Sequence, residues 1–418
     1  MKKLSRVLFV VVLAATLIAT LSLMGCKTET VETTAAATTA AAETTAAPET
    51  TAAATTVAED MTVPDPWIQE KRDVEKPYIT GEVKFTGAEG EIPVYDDGLI
   101  LTKEEVAKIQ AMGLKAAYVD NNTAGEYSLA IIGGSRDTLK YLGIEMIAET
   151  SANFDATKQK TDVETVMASK PDIVIGYAVD PTTGAEVFKP VVDAKKVLVL
   201  VSNRPKGYTP GKEYVGISTN NPYDNAYQVA VAMIKDLGPK ATIGIITYKD
   251  EYFVLNVMDD AFKQAIKDLA PDYTVYEEPF IDAQGLVDIA PAMVQKHPDI
   301  QAMYTTWFDP AMAAVEGLKA IDRKDVKMYT FGMNTPALLD LLNPDGMVKA
   351  LTTDFTWNVG MNSAIMAAYG ILGKKSPELV VVPTAIVTAD NLRELWDVAY
   401  RGVPLTKEVD DALKALGK

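Results

Sequence analysis

One cysteine and one histidine in 418 residues leave this chain without the usual equipment of several chemistries. A lone cysteine cannot close an internal disulfide, so any folded part is stabilised by its core alone. A lone histidine rules out histidine-rich metal clusters, and with Cys26 the only thiol, a thiolate cluster is ruled out too. His297, in Lys296-His297-Pro298-Asp299, reads as a turn residue, which leaves no Ser-His-Asp or Cys-His set. No Gly-x-x-x-x-Gly-Lys-Ser/Thr run occurs, so the chain has no phosphate loop of its own. Cations are also short: 40 Lys and Arg face 57 Asp and Glu, for a formal charge of −17. Nucleic acid and anionic lipid surfaces are poor partners for such a surface. Carboxylates are plentiful enough that a glycosidase pair is not removed by counting, but nothing sets one pair apart. No residue pattern calls for a cofactor or a metal.

What is present begins at the N-terminus. Lys2, Lys3 and Arg6 precede an uncharged, mostly apolar run from Val7 to Gly25, the pattern of an export signal. At ~1.5 Å per residue the run is also almost long enough for an uncleaved spanning helix. The cysteine at its boundary favours the first reading, because Leu23-Met24-Gly25-Cys26 resembles the lipobox of bacterial lipoproteins. That resemblance implies cleavage of residues 1–25 and a lipid on Cys26, which places the mature protein on the outer face of a cell membrane. Removing the three leader cations takes the formal charge to −20. Residues 26–60 are almost entirely Thr, Ala and Glu and have nothing large to bury, so they read as a disordered stalk. Fully extended, it would reach about 100 Å at ~3.3 Å per residue.

Residues 61–113 are expected to form a collar with Trp67 and Tyr78 as attachment points, followed by a lead-in helix capped at Thr102 and acidic at Glu104 and Glu105. From Leu114 onward, apolar β-branched runs alternate with helical spacing: Leu114–Val119, Ile144–Ala148, Asp172–Tyr177, Val197–Val201, Ala241–Thr247, Asp299–Thr305 and Lys327–Phe331. Such alternation predicts α/β architecture with parallel sheets. An internal echo suggests two copies of it. Phe154-Asp155-Ala156, Pro171-Asp172-Ile173 and Asp180-Pro181 are matched by Phe280-Ile281-Asp282-Ala283, Pro298-Asp299-Ile300 and Asp309-Pro310. Two Rossmann-like lobes are the simplest account, although two generic βαβ units could coincide this way.

Parallel sheets offer ligands the carboxyl ends of their strands. The residues found there are Asp120-Asn121-Asn122 with Tyr127, Asn203-Arg204, Tyr248-Lys249-Asp250-Glu251-Tyr252, Phe280, Trp307 with Asp309, and Met333-Asn334. Forked amides, a guanidinium and carboxylates among aromatic rings suit a hydroxyl-rich solute, whose C–H faces the rings cover. Each of them also has a plain reading as a cap or turn residue: Asp309 precedes a proline and Asn220-Asn221 could start a helix.

The order of these segments from about Gly113 to Val387 resembles a type I periplasmic solute-binding protein of the ribose-binding class, the receptor of ABC sugar importers. In that resemblance Val201-Ser202-Asn203-Arg204 carries the arginine that forks onto ligand hydroxyls. Asp120-Asn121-Asn122 is the first ligand loop, and Ser218-Thr219-Asn220-Asn221 is a crossover between lobes. Phe280 is a stacking aromatic, Asp354 is a hinge contact, and Pro383 opens a last crossover. The resemblance implies lobes of 114–219 plus 354–382 and 220–353 plus 383–418, joined by three crossovers. It also has departures. No arginine lies between Arg204 and Arg323, so Asn256 or Met258 stands where many members of the class have a second-lobe arginine, and Gly332-Met333-Asn334 stands where the class has Gly-Phe-Asp. A sugar or polyol is the implied solute, while Asp309, Asp354 and Glu251 leave an amine-bearing one open. Hinge closure and delivery to an ABC permease are the implied mechanism. A signalling receptor is the alternative partner reading, and a surface hydrolase the third. A tether on Cys26 suits a Gram-positive-type surface best.

Overall fold

The structure, a computed structural model, describes residues 60–418. The export signal, Cys26 and almost all of the Thr/Ala stalk lie outside them. The first ordered helix, α1 (Pro66–Asp73), starts on Pro66 and is capped by Asp65, whose Oδ1 accepts from the Trp67 and Ile68 amides, satisfying two of the amides a helix start leaves unpaired. Trp67 stacks on Tyr141 with centroids 4.3 Å apart, and Tyr78 leans on Phe355 at 5.0 Å. After a short strand, β1 (Pro93–Tyr95), comes α2 (Lys103–Gln110), where Thr102 and Glu105 form a reciprocal capping box.

The remaining elements build two parallel-dominated sheets. The first contains β2 (Lys115–Asp120), β3 (Glu145–Ser151), β4 (Ile173–Gly176), β5 (Val197–Val201) and β6 (Ile217–Asn220). They are connected by α3 (Glu126–Tyr141), α4 (Ala156–Ala168) and α5 (Pro181–Asp193). The chain then enters a second unit of α6 (Pro222–Leu237), β7 (Thr242–Tyr248), α7 (Phe253–Leu269), β8 (Thr274–Phe280), α8 (Leu286–Lys296), β9 (Ala302–Thr305), α9 (Phe308–Ala320), β10 (Lys327–Phe331), α10 (Thr335–Leu342) and β11 (Val348–Asp354). Next, α11 (Thr356–Leu372) packs back on α3, and β12 (Leu379–Val382) joins the first sheet beside β6. Finally β13 (Thr384–Val387) joins the second beside β11, ahead of α12 (Leu392–Ala399) and α13 (Lys407–Ala415).

The sheet orders are β1-β12-β6-β5-β4-β2-β3 and β13-β11-β10-β9-β7-β8. Read from the β3 and β8 ends, the two sheets share one plan, so the fold is a pair of Rossmann-like lobes. The chain passes between them three times: at Asn221 after β6, at Phe355 after β11, and at Pro383 between β12 and β13. Central strands such as Val197–Val201 are apolar throughout because helices cover both faces. The sequence echo maps onto β3-α4-β4-α5 and β8-α8-β9-α9. Asp155 and Asp180 cap helices as expected. Asp309 does not: α9 starts two residues earlier, with Trp307 at the cap and Asp309 in its first turn. His297 sits at the end of α8, stacked on Tyr276 at 3.5 Å. Among the described residues no helix is long and apolar enough to cross a membrane.

Candidate functional site

The carboxyl ends of both sheets meet between the lobes, and the loops there bring a buried polar cluster together. Asp120 ends β2 and Asp354 ends β11; they are 1% and 0% exposed. Burial pushes the Asp120 carboxyl up to about 7, opposed by the Asn122 and Asn121 amides. Asp354 is pushed up to about 6 by burial, opposed by hydrogen bonds from Thr356, Tyr127 and Asn220. Tyr127 donates to Asp354 Oδ2 at 3.1 Å. Tyr177, which follows β4, feels the charges of both Asp120 and Asp354 and accepts a 3.1 Å hydrogen bond from the Tyr252 hydroxyl of the other lobe. Among the described residues neither carboxyl has a cation as partner.

Asn203 belongs to the same cluster. Ser202 stands at φ +54°, a left-handed conformation uncommon outside glycine. Its amide donates to the Ser218 carbonyl at 3.0 Å and its hydroxyl pairs with Thr219 at 2.9 Å. This turn buries Asn203 completely. Its Nδ2 donates to the Ala178 carbonyl at 3.1 Å, it faces the Tyr252 hydroxyl, and its Oδ1 has no protein partner.

The second lobe supplies an aromatic wall. Tyr248, Phe280 and Trp307 end or follow β7, β8 and β9, with centroids 5.3 to 5.7 Å apart. Behind the wall Asp259 accepts from the Thr306 hydroxyl at 2.6 Å and from the Tyr248 amide at 2.8 Å. Burial pushes this carboxyl up to about 7. Trp307 Nε1 donates to Asp309 at 3.3 Å. The lobes are joined further by Thr335 donating to Glu126 at 2.8 Å and by Lys206 paired with Glu251 at 2.7 Å.

Tyr127, Asn203, Tyr252, Phe280, Trp307, Asp309 and Asp354 therefore lie on the interlobe cluster and its rim. Other expected residues are engaged elsewhere. Arg204 gives its fork to Glu91 and, at 2.7 Å, to Glu89, so the guanidinium expected to hold ligand hydroxyls instead holds the collar. Arg204, Glu251 and Asn256 line a cavity of about 390 Å³ under the collar segment Thr86–Glu91. Asn256 braces its loop, accepting from the Tyr252 amide at 3.0 Å. Asn334 caps α10 through the Ala337 amide at 3.0 Å. Asn122 closes a turn onto the Ala124 amide at 3.2 Å, and Asn121 is buried beside it. Tyr177, Thr356 and Tyr400, whose ring meets Tyr127 edge-on at 6.5 Å, were not singled out from the sequence as site residues. The apolar run ending at Tyr177 was the one available signal. Among the described residues no group of three or more His, Cys, Asp or Glu is placed to hold a metal.

Two α/β lobes closing over a polar, aromatic-walled seam define a hinged binding module. The chain belongs to the periplasmic binding protein family: the profile of the periplasmic binding protein domain matches residues 117–376. The ribose import binding protein RbsB of Bacillus subtilis (strain 168) is 24% identical over 279 residues, covering 66% of this chain and 87% of that protein. AraP, an arabinose-binding protein from Geobacillus stearothermophilus, superposes with a TM-score of 0.60 at 21% identity, over 68% of this chain and 99% of that one. An ABC transporter solute-binding protein from Agrobacterium vitis, solved with α-D-tagatopyranose, gives 0.62 at 16% identity, over 70% and 100%. These relatives are binding proteins.

Proposed function

We propose that the protein captures a sugar-like solute between its lobes and presents the closed form to an ABC permease, with Cys26 and the stalk tethering it to the outer face of the membrane. One observation carries this reading: hydrogen-bonding groups from both lobes converge with an aromatic wall on one interlobe seam. A solute touching both lobes favours closure by its differential affinity for the closed state, which is what shifts the equilibrium. Tyr127, Asn203, Tyr252 and Asp354 would bond to its polar groups, while Phe280 and Trp307 would cover its C–H faces. The names of the relatives support a carbohydrate as the solute class. A thermal-shift screen of sugars and polyols should give a stabilising solute whose affinity falls at least tenfold, or about 1.4 kcal/mol, in Trp307→Ala. No stabilisation by any of them, or full affinity in Trp307→Ala, would overturn this reading.

A further inference from the structure

The interlobe cluster holds two buried acids, Asp120 and Asp354, that form no ion pair among the described residues. Asp120 and Asp354 are both removed from water, and the groups that act on them are amides and hydroxyls. A buried carboxylate without a counter-charge is costly, and a site that keeps two has the shape of half an ion pair. The guanidinium best placed by sequence to balance them, Arg204, is committed to Glu89 and Glu91. The only cation bridging the lobes near this seam, Lys206 among the described residues, is held by exposed Glu251. Independent of the acids, Asn203 is fully buried with its Oδ1 unpartnered, so an N–H or O–H donor is missing from the same cluster. The walls are electron-rich rings: Tyr127, Tyr177 and Tyr252 around the acids, and Trp307 beyond them. Such faces attract a cation once water is excluded.

We infer that the solute carries a protonated amine on a hydroxylated skeleton, the ammonium neutralising Asp120 and Asp354 inside the tyrosine cluster and donating toward Asn203. This inference rests on the interlobe solute-binding reading and narrows it to one class, amino sugars and amino polyols. A neutral sugar would leave both carboxyls without a counter-charge. An ammonium of the solute supplies one, favours their ionised form, and gains hydrogen bonds to charged acceptors that are stronger than neutral ones.

The test is isothermal titration of the full chain with matched pairs: D-glucosamine against D-glucose, D-galactosamine against D-galactose, and 1-amino-1-deoxysorbitol against sorbitol. At least one amine should bind tenfold or more tightly than its neutral partner. That preference should fall below threefold in Asp354→Asn and in Asp120→Asn, each checked for folding by its thermal melt. Neutral partners binding as tightly as the amines would overturn the inference and leave solute binding standing. An undiminished preference in both variants would also overturn it. Binding of neither series would remove both readings.

Discussion

Asp120 and Asp259 titrate near pH 7 and Asp354 near 6 because burial takes water from the charged form. Each then holds a proton in the folded chain at a pH where the unfolded chain, with an ordinary carboxyl near 3.8, has released it. The folded state binds more protons across this window, so the stability these groups contribute is complete below about pH 4 and is lost as pH rises through 6 to 7. Asp259→Asn should remove that loss, because an amide keeps the Thr306 and Tyr248 contacts without a charge. Urea midpoints of the ligand-free variant relative to the parent should rise between pH 5 and pH 7.5, with a slope approaching about 1.4 kcal/mol per pH unit. A pH-independent difference would mean that Asp259 stays ionised. These acids show where sequence reading stopped. Asp354 was singled out through the family resemblance, as a hinge position, and no strand run announced it. Asp120 stood in view next to Asn121, yet nothing local distinguishes a turn-closing aspartate from one sealed beside Tyr177 and Tyr252 of other elements. Arg204 was misread for a related reason: its partners Glu89 and Glu91 come from more than a hundred residues upstream, in a segment without secondary structure of its own.

At the scale of elements, the tightest packing in the first lobe lies where α3 crosses α11. A Cβ on Gly134 would stand 1.8 Å from the Trp357 carbonyl oxygen, and one on Gly360 would stand 1.9 Å from that of Ile131. Both obstacles are helix backbone and cannot swing aside, so a single methyl must part the helices. Gly360→Ala should therefore cost about 3 kcal/mol or more, read as a lower urea midpoint. A loss under 1 kcal/mol would show that the helices slide freely. Alternation and the Pro-Asp-Ile echo exposed most strands and the two-lobe plan, since the long apolar runs feed central strands. The strands outside the apolar runs are β1, β6, β8, β11, β12 and β13, of which β1, β6, β12 and β13 have only three or four residues each. β1 joins β12 from nearly three hundred residues away, and no periodicity within either announces it. Asp309 was taken as a cap because Asp-Pro opens helices elsewhere in the chain, and tertiary packing of Trp307 shifted the start.

For the whole molecule, the collar is a fourth connection between the lobes. It belongs to the first lobe through β1, Trp67 and the Glu91–Arg204 pair. It reaches the second through Lys84, 5.9 and 5.5 Å from the rings of Tyr223 and Tyr227, and through Phe85 against Phe253 at 6.1 Å. Thr80 and Tyr95 also donate to Asp224 beside the first crossover, each at 3.2 Å. Such contacts bias the hinge toward closure before any solute arrives. The double variant Lys84→Ala/Phe85→Ala should open the ligand-free molecule, giving a larger radius of gyration by small-angle scattering that contracts on solute binding. An unchanged radius would show that the strap does not restrain the lobes.

The path of the chain into the fold assigns different duties to the lobes. Residues 61–64 run against the start of α2, with the Lys103 and Glu104 amides bonded to the Val63 and Met61 carbonyls at 3.1 and 2.9 Å, so the described chain begins on the first lobe. Seen from that end, the first lobe would be the reference jaw and the second the one that swings. Under the proposed function, a docking partner would meet the two jaws unequally, the second reporting by its position whether the bite is full.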